Sequence, residues 1–274
     1  MATKRISVAF SGSGFLAPAE AGFAVGLMQN NCRIVEVAGT SGGSIVATAV
    51  ACGFSANDLT NMVFAGFPKG IAKLSLFTAM HSLMQDSFWL NSGDILQEYL
   101  FKRFGNKTFS DLQIPLTIMA TNLTDKATLE FSKTATPNIK IAFACRCSSS
   151  VPYVYKPMKY NEKLVVDGGV YNNIPTQKLK AVATKKVGIR ILDGGNYKLS
   201  SVFDMSKQLI SSLLDANEDN LVAWAKATGA SIKEVNCNPY NFLDAEMTQE
   251  QLHDLFNRGK QAALDLLKSP QFNT

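Results

Sequence analysis

Apolar and polar residues follow two periods along this chain, and the periods take turns. Ile6-Ser7-Val8-Ala9-Phe10 reads as a short strand, Pro18 to Asn30 as a helix with proline in its first turn, and Arg33 to Val37 as a β-branched strand. Ser44 to Cys52 is small and aliphatic throughout, as a buried helix would be, and Gly53 closes it. Ser55-Ala56-Asn57-Asp58 marks a helix start, and Ser92-Gly93-Asp94 introduces an amphipathic helix from Ile95 to Leu100. Pro115 to Thr121, Leu164 to Val166 and Val187 to Leu192 read as buried strands. Thr248 to Lys268 ends the pattern with a helix whose Leu252, Leu255, Phe256, Ala263 and Leu267 share one face. Strands that alternate with helices predict a parallel sheet covered by helices. No internal repeat or low-complexity tract interrupts the series.

One stretch breaks the rhythm. Val63 to Leu90 is rich in Phe, Met and Leu and carries little charge, which suits either a buried helix pair or a lid-like interfacial helix touching lipid. Periodicity leaves both readings open.

Composition narrows the class. With 274 residues, 46% of them hydrophobic, the chain can bury a large core, and the absence of a linker-like stretch predicts one domain over residues 1–274. The longest apolar run, Ile45 to Phe54, is about half of the roughly 20 residues a membrane-crossing helix needs, so no transmembrane helix is expected. Ser11-Gly12-Ser13-Gly14 interrupts the apolar stretch after Lys4-Arg5 before a signal-peptide core can form, so the expected location is cytoplasmic or peripheral to a membrane. The net charge of +5 comes from dispersed lysines, which argues against a nucleic-acid partner and allows weak attraction to anionic lipid. Five scattered cysteines in mostly apolar surroundings suit reduced core thiols, and Cys145-x-Cys147 lacks zinc-site spacing, so no metal is expected.

The chemistry concentrates at Gly39-Thr40-Ser41-Gly42-Gly43, between a strand and a helix. A serine there can sit on a sharp, strained turn with its hydroxyl exposed at the sheet edge, and Gly39 and Gly43 leave room for the close chain approach such an elbow requires. An ordinary glycine-rich turn is the plainer alternative. A serine nucleophile needs a base and an oxyanion site. The only histidines are His81, in the apolar stretch, and His253, on the closing helix; both read as surface or structural residues, which leaves a carboxylate acting directly as base. Asp167-Gly168-Gly169 and Asp193-Gly194-Gly195 both follow strands and are rivals by local pattern, each equally able to tighten a turn. Gly12, Ser13 and Gly14 lie in a loop after the first strand whose N–H groups can converge on an anion. The same loop gives Gly12-x-Gly14-x-x-Ala17, with Glu36 further on, a weak dinucleotide fingerprint that leaves Ser41 unexplained.

Taken in order, these segments resemble the patatin-like phospholipases, lipid acyl hydrolases with a serine–aspartate dyad. Phe10-Ser11-Gly12-Ser13-Gly14-Phe15-Leu16 is similar to the family's oxyanion block and Gly39-Thr40-Ser41-Gly42-Gly43 to its elbow. Thr108 to Leu112, with Ile114-Pro115-Leu116 and Ala120 to Leu123, is similar to another recurrent segment. Ser148-Ser149-Ser150-Val151-Pro152 with Lys156-Pro157 resembles the Ser/Pro block, and Asp167-Gly168-Gly169-Val170 with Asn172-Asn173-Ile174-Pro175 the dyad block. Ser13 and Phe15-Leu16 stand where many bacterial and plant members carry a third glycine and then a basic residue, like the animal-type Gly-x-Gly-Phe-Leu variant. The resemblance implies a three-layer α/β/α fold around a largely parallel sheet. It implies Ser41 as nucleophile, Asp167 as base in preference to Asp193, and backbone donors from Gly12, Ser13 and Gly14, with Gly168 and Gly169 supporting the aspartate. It also implies a glycerolipid substrate, most simply a phospholipid or lysophospholipid, peripheral membrane contact, and no cofactor. A non-catalytic lipid-binding or regulatory module on the same fold is the rival from another functional class.

Overall fold

The alternation read along the sequence folds into one sheet. The computed structural model describes residues 3–72, 89–194, 208, 212 and 218–273. Among these, β1 (Lys4–Phe10), β2 (Cys32–Thr40), β3 (Leu116–Asn122), β7 (Lys185–Leu192) and β8 (Ser231–Asn236) are parallel, in the order β3-β2-β1-β7-β8. Three antiparallel strands extend the β3 side: β4 (Ala127–Ser132) and β6 (Lys163–Asp167) pair with β3, and β5 (Met158–Tyr160) pairs with β6.

Helices cover the sheet. α1 (Ala17–Gln29) is buried along nearly its whole length because it lies beneath α7 (Gln249–Lys268) and against α3 (Ala56–Phe64). The two long helices cross closely: a Cβ on Gly259 would collide with the carbonyl of Ala19, so glycine is required at the contact. The buried face of α7 runs Leu252, Leu255, Phe256, Gly259, Ala262, Ala263 and Leu266, a spacing of three and four residues, and each large apolar side chain on it contributes about 1.5–3 kcal/mol. Leu266 takes the inward place expected of Leu267, which is half-buried. A capping box between Thr248 and Gln251 starts this helix. The step from β7 to β8 runs opposite to that from β1 to β2, so right-handed connection puts α6 (residues 218–227) on the other face from α1. The fold is the expected three-layer α/β/α arrangement around a mostly parallel sheet.

The departures from the sequence reading have physical causes. α2 (Ser41–Ala51) begins at the serine and not at Ser44, because the glycines after Ser41 are themselves the first helical turn. β4, β5 and β8 were not expected. β8 is half polar because it forms the sheet edge, and β5 is only three residues long. α5 (Ile141–Ser148) hides an arginine, Arg146, on a helix buried almost throughout. The helix expected from Ile95 is α4 (Asp94–Phe104). Most of the Val63 to Leu90 stretch, with His81, lies outside the described residues. No described helix is long and apolar enough to cross a membrane.

Candidate active site

Ser41 stands where β2 turns into α2. Its backbone is left-handed, φ +50°, a conformation that costs an L-residue roughly 1–2 kcal/mol. The surrounding glycines make the turn possible: a Cβ on Gly39 would lie 2.7 Å from the Ser44 Cα, and one on Gly43 would strike the carbonyl of Ser11. The Ser41 N–H, one of the unpaired donors at a helix start, donates to the Ser148 Oγ at 2.8 Å, and that hydroxyl donates to the Met119 carbonyl at 2.6 Å. The Ser44 hydroxyl donates to the Ser41 carbonyl at 2.6 Å. Backbone and neighbouring hydroxyls thus fix Ser41 before any partner for its own oxygen is considered.

Sheet topology supplies that partner. β4 occupies one edge of β3 from Thr117 to Asn122, so β2 and β6 share the other edge. β2 runs parallel and ends with Thr40 beside Met119; β6 runs antiparallel and ends with Asp167 beside Ala120. The two strand ends meet head to head, and Ser41 Oγ donates to Asp167 Oδ2 at 2.6 Å. Asp193 follows β7, two strands from β2, or about 10 Å away at ordinary strand spacing. It lines the same cleft, but its strand lies beyond β1 and the loop that follows it.

Burial sets the character of Asp167, which is 5% exposed beside a Ser41 that is 6% exposed. Removal from water pushes its carboxyl up to about 7, against the opposing hydrogen bonds from the Ser41 hydroxyl and the Gly169 N–H, the latter donated to Oδ1 at 2.8 Å. Its own N–H donates to the Ser150 carbonyl at 3.0 Å. Gly168 fits because a side chain there would strike the Met119 carbonyl. The chain beyond reaches back over the site: the Thr40 hydroxyl donates to the Asn172 carbonyl at 2.7 Å, and the Gly12 N–H to the Asn173 carbonyl at 3.0 Å.

That last bond revises the expected oxyanion donors. Gly12 has spent its N–H on Asn173, so the loop donors that remain are those of Ser13 and Gly14. Gly14 is left-handed, φ +52°, and packs under the Phe242 carbonyl, which accepts the Phe15 N–H at 2.8 Å. Parallel pairing of Phe10 with Gly39 brings this loop alongside the elbow. Gly42 was quoted in the elbow without a role, yet a Cβ on it would lie 2.9 Å from the Gly14 nitrogen. The residue after the serine therefore abuts the loop, and no side chain fits between them.

Sequence reasoning quoted Ser148 in the Ser/Pro block without a role and passed over Arg146. Arg146 is 1% exposed, donates to the Ser150 Oγ at 2.6 Å and to the carbonyls of Ser92 and Lys156 at 3.0 and 3.2 Å, and sits 5.4 Å over the Tyr155 ring. It braces the segment that gives Ser148 to the serine and Ser150 to the aspartate. The available signal was an arginine flanked by apolar residues and followed by three serines.

Space around Ser41 divides in two. One side carries the polar groups of Asn173, Asp193 and Glu218 among apolar residues that include Val151, Ile191 and Phe242. The other is apolar, lined by Phe15, Ile45, Phe67, Leu96, Tyr155 and Leu243, and shares Ile45 and Phe67 with a further cavity that reaches Met62 and Tyr99. The rival candidates have structural occupations. His253 stacks on Phe64 at 3.9 Å, and Glu36 accepts the N–H groups of Lys180 and Ala181 at 2.8 and 2.9 Å, so it does not sit ready for a ribose. The five cysteines are free, and burial pushes Cys145 up to about 12, far from a metal-binding thiolate.

Known proteins are similar to this chain. A protein of Acanthamoeba polyphaga mimivirus, uncharacterized protein R571, is 30% identical over 192 residues, covering 67% of this chain and 64% of its own length. A probable lipid hydrolase of Invertebrate iridescent virus 6 is 27% identical over 150 residues, covering 54% of this chain and 47% of its own. The chain thus spans less than two thirds of either viral relative. Among solved structures, VipD from Legionella pneumophila superposes with a TM-score of 0.58 at 14% identity, over 97% of this chain and 67% of VipD, a likeness of fold. The family model of patatin-like phospholipases matches residues 8–180, more than half of the chain, with Ser41 and Asp167 inside the match. The chain belongs to the patatin-like phospholipase family.

Proposed function

We propose that this protein is a serine esterase releasing fatty acid from glycerolipids, phospholipid or lysophospholipid, through Ser41 and Asp167. Membership of a phospholipase family supports a lipolytic hydrolase. The observation that carries the finer reading is the 2.6 Å hydrogen bond from the Ser41 hydroxyl to a buried carboxylate raised to about 7. A carboxylate of ordinary acidity would be a weak base for an alcohol, whereas one poised near neutrality can take the proton and return it.

In this scheme Ser41 Oγ attacks the ester carbonyl carbon while its proton passes to Asp167 Oδ2. The N–H groups of Ser13 and Gly14, with that of Gly42, receive the oxyanion. Collapse breaks the bond to the leaving alcohol, which takes the proton from Asp167. Water then attacks the acyl-Ser41 ester, Asp167 removes its proton, and Ser41 regains it as the fatty acid leaves. No cofactor enters any step. The apolar cavity beside Ser41 suits the acyl chain, and the side that carries Asn173 and Asp193 suits the glyceryl leaving group.

The test is release of fatty acid from mixed phospholipid vesicles, with a fluorophosphonate probe as readout of the nucleophile. Wild type should release fatty acid and carry one phosphonyl adduct on Ser41; Ser41→Ala should do neither. Release undiminished in Ser41→Ala, or an adduct on another residue, would sink the reading.

A further inference from the structure

Glu20 is a charged residue type with no part in the scheme above, and it is fully buried. It lies in the first turn of α1, directly after the oxyanion loop. The Ser13 hydroxyl donates to its Oε2 at 2.7 Å, and the Ser11 hydroxyl lies 3.4 Å from its Oε1 while accepting the Ile191 N–H at 3.3 Å. No cation pairs with it among the described residues, and burial drives its carboxyl well above the usual range against the pull of those serines. A lone buried carboxyl is costly unless its hydrogen bonds fix something of use.

What it fixes is visible one atom further on. Ser13 Oγ is wedged between Glu20 and the start of α2, where a Cβ on Gly42 would lie 2.8 Å from it. The loop is therefore held from two sides: Asn173 binds Gly12 from above, and Glu20 binds Ser11 and Ser13 from below. A third glycine at position 13 could not be held this way, because it has no hydroxyl to give.

We propose that Glu20 is a positioning residue, aiming the Ser13 and Gly14 N–H groups at the oxyanion through the side chains of Ser13 and Ser11. The inference rests on the hydrolase reading of Ser41. It assigns the serine in the loop a purpose that backbone donation alone does not require, since any residue would supply the N–H. Misaiming such donors weakens binding of the transition state while leaving ground-state binding nearly untouched.

Turnover of a soluble ester, p-nitrophenyl butyrate, by wild type, Glu20→Leu, Ser13→Ala, the double variant and Glu20→Gln tests this. Glu20→Leu and Ser13→Ala should each lower kcat about 10–100-fold with KM within about twofold. The double variant should be no worse than the weaker single, because both break one device. Glu20→Gln, which still accepts a hydroxyl, should keep kcat within about fivefold. The pH at half-maximal rate should stay that of wild type, since Asp167 is untouched. Losses that multiply in the double variant, kcat within twofold of wild type in Glu20→Leu, or a displaced pH profile would each overturn the assignment. Should Glu20→Leu not fold by thermal melting, Ser13→Ala with and without Glu20→Gln decides: the assignment requires a loss from the first and no further loss from the second. A wild type inert on both the soluble ester and vesicles removes the hydrolase reading and this inference with it. An active wild type with indifferent Glu20 and Ser13 variants removes this inference alone.

Discussion

Ser41 and Asp167 lie 2.6 Å apart and are held by opposite means. The serine is fixed locally: a strained φ of +50°, glycines on both sides, and the first turn of its own helix. The aspartate is fixed from far away in sequence, by a strand end brought to Ala120, by the carbonyl of Ser150 and by burial under the chain that returns to Thr40 and Gly12. In the proposed reaction the serine depends on placement, and the aspartate on environment.

Breaking the environmental half should have the largest effect. Asp167→Asn is expected to lower ester turnover on the order of 10³-fold or more, read by kcat on a soluble ester. In wild type the rate should climb about tenfold per pH unit up to about 7 and then level, as the carboxylate becomes available. Stability carries the opposite sign. A carboxyl raised from 3.8 to about 7 on folding contributes stability that is full below about 4 and is lost as pH rises through about 7. Thermal melting should therefore show wild type losing ground to Asp167→Asn between pH 5 and pH 8. A flat difference across that range would deny the burial account.

A smaller effect should come from the contact that links the two halves. Ser148→Ala removes the acceptor for the Ser41 N–H and should cost about 10–100-fold in kcat with KM little changed. Full activity would mean that the elbow holds itself without help. The smallest effect isolates the local half. Ser41→Gly and Ser41→Ala both lack the hydroxyl, but glycine relieves the left-handed strain, so the glycine variant should be the more stable by about 1 kcal/mol in urea unfolding. Equal stability would mean that the turn is not strained.

The same division explains what could be read in advance. The parallel half of the sheet carried strong signals, because its strands are buried on both faces and its helices are long: β1, α1, β2, β3, β7 and α7 all appeared near their observed limits. Other elements carried weak ones. β5 has three residues, β8 is half polar at an edge, and α5 contains a buried arginine that polarity alone assigns to the surface. Ser148 had no role assigned and Arg146 was passed over for that reason, since both act through bonds to residues far off in sequence. Gly12 was misjudged as a donor because its competing acceptor, Asn173, is distant too.

By itself the sequence determined the elbow, the loop after β1 and the layered fold, since turn chemistry and periodicity are local properties of neighbouring residues. The choice between Asp167 and Asp193 is different: their local patterns are alike, and only the family resemblance favoured one. The tertiary structure separates them because β6 runs antiparallel along the same edge of β3 as β2, beginning where β2 stops, which sets Asp167 against Ser41 while β7 leaves Asp193 two strands away. Pairing register and burial are properties of the assembled sheet, and no stretch of the chain carries them alone.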